Sequence, residues 1–309
     1  MNRMNQESSL DPTSARLKSI ALAVAAVLLL LAASYFFYAP LSNMANEAWA
    51  ALTFPQELRS AQFLGREEGS SFIYEHAFAR FDRTEIGDEY AIVSAARQGE
   101  SLASIATLPD GSFALLVNAK PVLTSTSRKD TVSLSPGGTA IAFTEKTSNA
   151  DQMTVGRSAI VLDLATSNLI VLGPGHTPLF IDATHVLWFP PTGPSITDIR
   201  TGAVTILSGA SAPAPLPAPV LSPDRTLVAW MNAVDSTISV NRITSEGPEQ
   251  LASFPITSTN PQISLGNDAL YMLTPTDAGT EIWRHSFDGA PAVKIYRFKP
   301  SLTVSQLIL

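Results

Sequence analysis

The 309-residue chain carries 45% apolar but only 15% charged residues, a formal net charge of −7 and no cysteine. Disulfides, thiolate catalysis and cysteine-ligated metal are therefore excluded, and the acidic balance leaves no electrostatic footprint for nucleic acid or anionic lipid. The 22 Pro and 17 Gly suit many short strands joined by turns.

Residues 1–18 read as a short cytoplasmic tail. Ser19 to Tyr38 is a run of twenty residues without a charge, and a helix of that length spans roughly 30 Å, the hydrocarbon thickness of a bilayer. Tyr35, Phe36, Phe37 and Tyr38 stand where an aromatic belt sits, and Pro40 stops the helix. Arg16 and Lys18 abut the near end, so the positive-inside bias puts the N-terminus in the cytoplasm. The expectation is a single-pass transmembrane helix over 19–38 in the cytoplasmic (inner) membrane of a bacterial cell, followed by a linker over 39–60. A cleaved signal peptide, cut after Ala48-Trp49-Ala50, is the competing reading. A buried core helix fits poorly, because the stretch is apolar all round.

Residues 61–309 form the expected extracytoplasmic (periplasmic) domain. Glu89 to Val93, Leu108 to Val117 and Lys120 to Thr124 read as strands around turns, amounting to one or two irregular units. Further on a pattern repeats. Ser135-Pro-Gly-Gly-Thr-Ala-Ile-Ala-Phe143 matches Ser222-Pro-Asp-Arg-Thr-Leu-Val-Ala-Trp230, with looser copies at Ile181 to Phe189 and Leu265 to Leu273. Their starts lie 46, 41 and 43 residues apart. A second element follows each: Ser158 to Leu172, Ser195 to Leu207, Thr237 to Ile243 and Glu281 to Phe287 are hairpin strands, with Thr201-Gly202 and Asp288-Gly289 at turns. Four short strands in roughly 40–45 residues is the unit of a propeller blade. Beyond the first 50, the 259 remaining residues hold about six. Blades are covered on both faces, which accounts for continuous apolar runs such as Ile160 to Leu162 and Leu227 to Trp230. Thr303 to Leu309 reads as a final strand that closes the ring on the first blade. The fold class is thus all-β, a β-propeller of about six blades; an incomplete propeller or a pair of β-sandwiches is the alternative.

The Ser-Pro-Asp/Gly-x-x-apolar-Ala-aromatic pattern at Leu134 to Phe143 and Leu221 to Trp230 resembles the repeats of TolB-like and WD40-like β-propellers, over roughly residues 134–300. That resemblance implies a fold, not a ligand. Residues 51–85 are too short for the α/β domain that precedes the propeller in TolB-like proteins.

The stretch Gly209 to Pro219 is a polyproline-like surface connection. The histidines His76, His176, His185 and His285 show no metal-ligand spacing. Gly173-Pro-Gly-His-Thr-Pro178 reads as a turn after a strand ending at Leu172, not as a dinucleotide site. Arg66-Glu67-Glu68 and the set Asp82, Glu85, Asp88 and Glu89 read as exposed turns, and Thr276 to Trp283 as a hairpin rather than a sialidase-type Asp-box. Trp188, Trp230 and Trp283 suit packing between blades better than a ligand groove. No catalytic, cofactor-binding or metal-ligating residue is named by the sequence. The leading functional expectation is a membrane-anchored scaffold or protein-interaction module of the cell envelope, or an accessory subunit of a membrane complex. The alternative is an extracytoplasmic hydrolase or lyase acting on saccharides or lactones.

Overall fold

Among the described residues twenty-four strands fall into six four-stranded antiparallel sheets. The computed structural model describes residues 55, 58–67, 70–77, 80–85, 90–148, 155–207, 218–232, 236–244, 247–256 and 261–309. β1 (Gln62–Glu67), β2 (Ser70–Ala77) and β3 (Arg80–Glu85) belong to blade 1. β4 (Ala91–Gln98), β5 (Ser101–Thr107), β6 (Phe113–Val117) and β7 (Lys120–Ser125) make blade 2. β8 (Lys129–Leu134), β9 (Ala140–Ser148), β10 (Val155–Asp163) and β11 (Leu169–Pro174) make blade 3. Blade 4 holds β12 (His176–Phe180), β13 (His185–Phe189), β14 (Ser195–Asp198) and β15 (Val204–Ile206). Blade 5 holds β16 (Val220–Leu221), β17 (Leu227–Asn232), β18 (Thr237–Thr244) and β19 (Gly247–Pro255). Blade 6 holds β20 (Gln262–Leu265), β21 (Ala269–Thr276), β22 (Gly279–Ser286) and β23 (Val293–Arg297). The last strand, β24 (Thr303–Ile308), returns to blade 1 and pairs with β1, Gln62 opposite Ile308 and Phe63 opposite Leu307.

The core decides between a closed ring and the alternatives. Six clusters of buried side chains are present, and each joins two neighbouring blades: 1 with 2, 2 with 3, and so on to 6 with 1. A continuous apolar run serves two interfaces because successive side chains leave a strand on opposite faces. In β9, Ile141 and Phe143 pack toward blade 2 while Ala140 and Ala142 pack toward blade 4. In β17, Val228 and Trp230 face blade 4 while Leu227 and Ala229 face blade 6. β21 divides likewise, Leu270 and Met272 against blade 5, Tyr271 and Leu273 against blade 1. Each fully buried large aliphatic or Phe contributes about 1.5–3 kcal/mol. The second strand of each blade carries much of this, with the strands on either side of it, whereas outer strands such as β15 leave Val204 and Ile206 exposed.

The Ser-Pro turns have a specific construction. The Ser135 Oγ accepts from the backbone N–H of Thr139 (3.1 Å) and Ala140 (3.0 Å), and the Ser222 Oγ accepts from that of Leu227 (3.0 Å). Each hydroxyl thereby substitutes for a ladder partner at the point where β8 turns into β9 and β16 into β17. At Thr276 to Gly279 the chain makes the expected hairpin, β21 to β22.

Two sequence readings are corrected. Gly173 to Pro178 is not a turn: Gly173 and Pro174 end β11, His176 to Pro178 begin β12, and Gly175 alone lies between. Gly175 lets the chain pass under blade 4, where a Cβ would stand 2.8 Å from the Phe189 carbonyl oxygen and 2.9 Å from the Trp188 ring. The acidic positions Asp82 and Glu85 lie in strand β3, and Arg66 and Glu67 in β1, rather than in turns. At Arg66, which is exposed, a polar side chain is accommodated because the end of β1 meets water.

Residues 54–77 and 81–309 group as one unit, which holds all six core clusters. Leu58, within the stretch read as linker, is fully buried in the cluster between blades 6 and 1. Among the described residues no helix is long and apolar enough to cross a membrane. The expected span 19–38, the tail 1–18 and most of the Pro-rich stretch lie outside the described residues.

Candidate functional site

The first strands of the blades, β4, β8, β12, β16, β20 and β24, surround an axial cavity. They run in the same direction. Their early residues, among them Val93, Asp130, His176, Gln262 and Ser305, border a narrower half of about 260 Å³. Their late residues, among them Gln98, Leu134, Phe180, Ser222 and Leu309, border a wider half of about 390 Å³. Ser94, Thr131, Thr177, Val220 and Gln306 border both.

These walls are polar for a structural reason. Each first strand pairs on one side only, so its other backbone edge needs partners. Neighbouring blades supply them. Gln306 of β24 accepts from the Ala95 N–H (3.0 Å) and donates to the Ala95 carbonyl (2.7 Å) of β4. The Thr177 N–H of β12 donates to Thr144 Oγ1 of β9 (2.8 Å), and the Phe180 N–H to Ser133 Oγ of β8 (3.1 Å). Gln62 also borders the wider half; its Nε2 donates to Glu75, while its buried Oε1 has no partner among the described residues.

Arg225 stands across the wide mouth. Its guanidinium donates to the Phe180 carbonyl (2.6 Å) in blade 4, the Leu134 carbonyl (3.1 Å) in blade 3, and Gln98 Oε1 in blade 2. Burial pulls its pKa below the ordinary arginine value, partly offset by the charge of Asp182. Its backbone is left-handed, φ 62°, at the place where Gly138 (φ 65°) stands in the sibling turn of blade 3. An arginine takes that conformation at a cost of about 1 kcal/mol or more, which its bonds to three other blades offset. Sequence reading did not single out Arg225; the signal was an arginine aligned with a glycine in the Ser135 and Ser222 repeats.

At the narrow mouth Asp130 is the one side-chain carboxylate bordering the cavity among the described residues. Lys146 Nζ (3.0 Å) and Arg128 Nε (3.3 Å) hold its two oxygens.

The histidines are not gathered. His176 stacks on Phe189 at the narrow mouth. His185 pairs with Asp182 (2.8 Å), and His285 lies edge-on to Phe254 with its pKa pulled down by burial. For His76 only the backbone, in β2, is described. Trp188 and Trp230 are buried between blades, Trp188 donating to Thr197 Oγ1 (2.9 Å). Trp283 is partly buried against the cluster of blades 5 and 6, and none of the three borders the cavity. No three His, Asp or Glu side chains among the described residues are grouped to hold a metal ion.

No family model and no curated protein matches the chain. Solved structures do. The β-propeller domain of Swd1 from Myceliophteria thermophila is similar over 80% of this chain and 85% of its own, at 14% identity and a TM-score of 0.54. An oligogalacturonate lyase in complex with manganese is similar over 79% of this chain and 75% of its own, at 10% identity and TM-score 0.53. A chain of a nidogen/laminin complex is similar over 80% of this chain and 97% of its own, at 10% identity and TM-score 0.52. At such identities the likeness is one of fold, and the Swd1 domain agrees with a β-propeller.

Proposed function

We propose that this chain is a membrane-anchored propeller displayed on the outer side of a cytoplasmic membrane, where it works as a binding module that recruits a protein of the cell envelope. The anchor rests on the uncharged run Ser19 to Tyr38 and the flanking Arg16 and Lys18. The role rests on one structural observation: the axial cavity presents hydroxyls, carboxamides and cations, with Asp130 as the sole side-chain carboxylate bordering it among the described residues. Hydroxyls and carboxamides recognise; a glycoside hydrolase of the usual kind needs two carboxylates about 5–9.5 Å apart. The resemblance of the Ser135 and Ser222 repeats to TolB-like propellers bears on the fold alone, and residues 61–309 are the proposed interaction domain.

Gently solubilised membranes containing the full-length protein should yield a stoichiometric protein partner on affinity capture. A monodisperse chain without a partner, under several mild detergents, overturns the reading. Protease added to spheroplasts should digest the propeller and spare residues 1–38. Protection of the propeller reverses the orientation.

A further inference from the structure

Arg128, Lys146 and Arg157 form a row across three adjacent strands of blade 3. Lys146 in β9 lies directly opposite Arg157 in β10, and the Lys146 N–H donates to the carbonyl of Arg128, the residue before β8 (2.8 Å). Like charges facing each other across a sheet are destabilising. Here three occur in succession at the narrow mouth, all bordering the cavity of about 260 Å³.

One carboxylate serves all three. Asp130 lies 3.0 Å from Lys146, 3.3 Å from Arg128 and 4.0 Å from Arg157. Among the described residues these are the only ion pairs the three cations make, so the cluster keeps an excess of two positive charges inside a chain of net −7. Arg157 is beyond hydrogen-bond distance of its carboxylate, so among the described residues its guanidinium fork is not taken up by Asp130 and suits a bidentate acceptor. Lys146 and Arg157 keep only 19% and 31% of their side-chain surface exposed, so their charges are partly withdrawn from water and screened less than free surface cations. Glu145 cannot balance the row, since it pairs with the buried Lys129 (3.2 Å). Hydroxyl-bearing Thr131, Thr144 and Thr177 continue the wall inward.

We infer that the narrow mouth of the axial cavity binds the phosphate or carboxylate group of a small anionic ligand, with Arg157 and Lys146 as its principal contacts and Arg128 at the rim. A cavity of about 260 Å³ admits a ligand of a few heavy atoms beyond the oxyanion itself. The inference rests on the binding-module reading only in using the same cavity. Capture of a protein partner with no oxyanion binding leaves that reading standing and sinks this one; oxyanion binding without a captured protein does the reverse.

The experiment is calorimetric titration of the full-length protein in neutral detergent and low-salt buffer with inorganic phosphate, glycerol 3-phosphate and citrate, and with glycerol as the uncharged control. At least one anion should bind with one-to-one stoichiometry and a Kd below about 1 mM, a level typical of a small preformed site, while glycerol shows nothing. Glycerol 3-phosphate favoured over phosphate points to a lipid headgroup as the source; citrate favoured over both points to a free carboxylate. Arg157→Gln with Lys146→Gln should weaken binding at least tenfold without lowering Tm, because the substitutions remove mutual repulsion. Asp130→Asn should tighten it several-fold, because a competing anion is gone. Lys294→Gln, on blade 6, should change neither. Failure of all three anions to bind with a Kd below about 1 mM, undiminished binding in the double variant, or weaker binding in Asp130→Asn each overturns the inference.

Discussion

Replacing Arg225 separates two opposed contributions at one residue. In the wild type its guanidinium makes three hydrogen bonds, to Phe180, Leu134 and Gln98, tying blade 5 to blades 4, 3 and 2. Bonds from a charged donor are worth about 1.5–3 kcal/mol each when buried, and half-exposure reduces that. Against them stands the left-handed backbone at φ 62°, which costs a non-glycine residue about 1 kcal/mol. Arg225→Ala keeps the strain and loses the bonds, so a loss of about 2–4 kcal/mol is expected. For a domain of this size each kcal/mol shifts Tm by about 2–4 °C, so Tm should fall by roughly 4–16 °C. Arg225→Gly loses the same bonds but accepts φ 62° freely. It should therefore melt about 2–4 °C above the alanine variant. Arg225→Lys keeps the charge without the planar fork and should resemble alanine more than wild type. Differential scanning calorimetry of the four proteins under one set of conditions measures all of this. An alanine variant within 1 °C of wild type, or a glycine variant less stable than alanine, would refute the assignment of Arg225 as an interblade tie.

The other predictions concern the sheet interiors. Lys129 is fully buried, paired with Glu145 (3.2 Å), bonded to the Ser127 carbonyl (3.2 Å) and set over the Phe143 ring (5.7 Å). Removing only the acid strands a buried charge, so Glu145→Gln should cost about 3 kcal/mol by urea unfolding, whereas Lys129→Met should stay within about 1 kcal/mol; the reverse order contradicts this. Gly279 has φ 116° and its Cβ would stand 2.0 Å from the Phe298 carbonyl oxygen. Gly279→Ala should thus cost about 3 kcal/mol or more, against about 1 kcal/mol for Gly289→Ala, which has φ 80° but open space. His285 has its pKa lowered from 6.5 by burial against Phe254. The unfolded chain then binds the proton more readily, so stability is lost as pH falls from 6.5 toward the folded value and is unaffected above 6.5. His285→Gln should flatten that part of the stability profile, and a profile identical to wild type between pH 7 and 5 would exclude the effect.

Much of the ring was legible in the order of residues. The repeat starts Ser135, Ile181, Ser222 and Leu265 mark the turns from first to second strand in blades 3 to 6, because a serine hydroxyl or a tight turn is needed there each time. Runs such as Leu227 to Trp230 announced strands buried on both faces, and Thr303 to Leu309 announced the closing strand. Blades 1 and 2 were obscure for physical reasons. Blade 2 turns from β4 to β5 through the two residues Gly99 and Glu100 without a Ser-Pro element. Blade 1 borrows its first strand from the other end of the chain, so no local repeat exists to be read.

Local pattern therefore determined which segments are strands and how many blades they build, since burial period and turn chemistry act over a few residues. Only the tertiary structure decided what meets on the axis. Arg128, Lys146 and Arg157 stand at unrelated places in the repeat and become neighbours through the register of β8, β9 and β10. Arg225 reaches Gln98, 127 positions away, because the ring brings the ends of β4 and β16 to one mouth. Convergence of that kind depends on ring closure and strand register, and neither leaves a mark on the residues that converge.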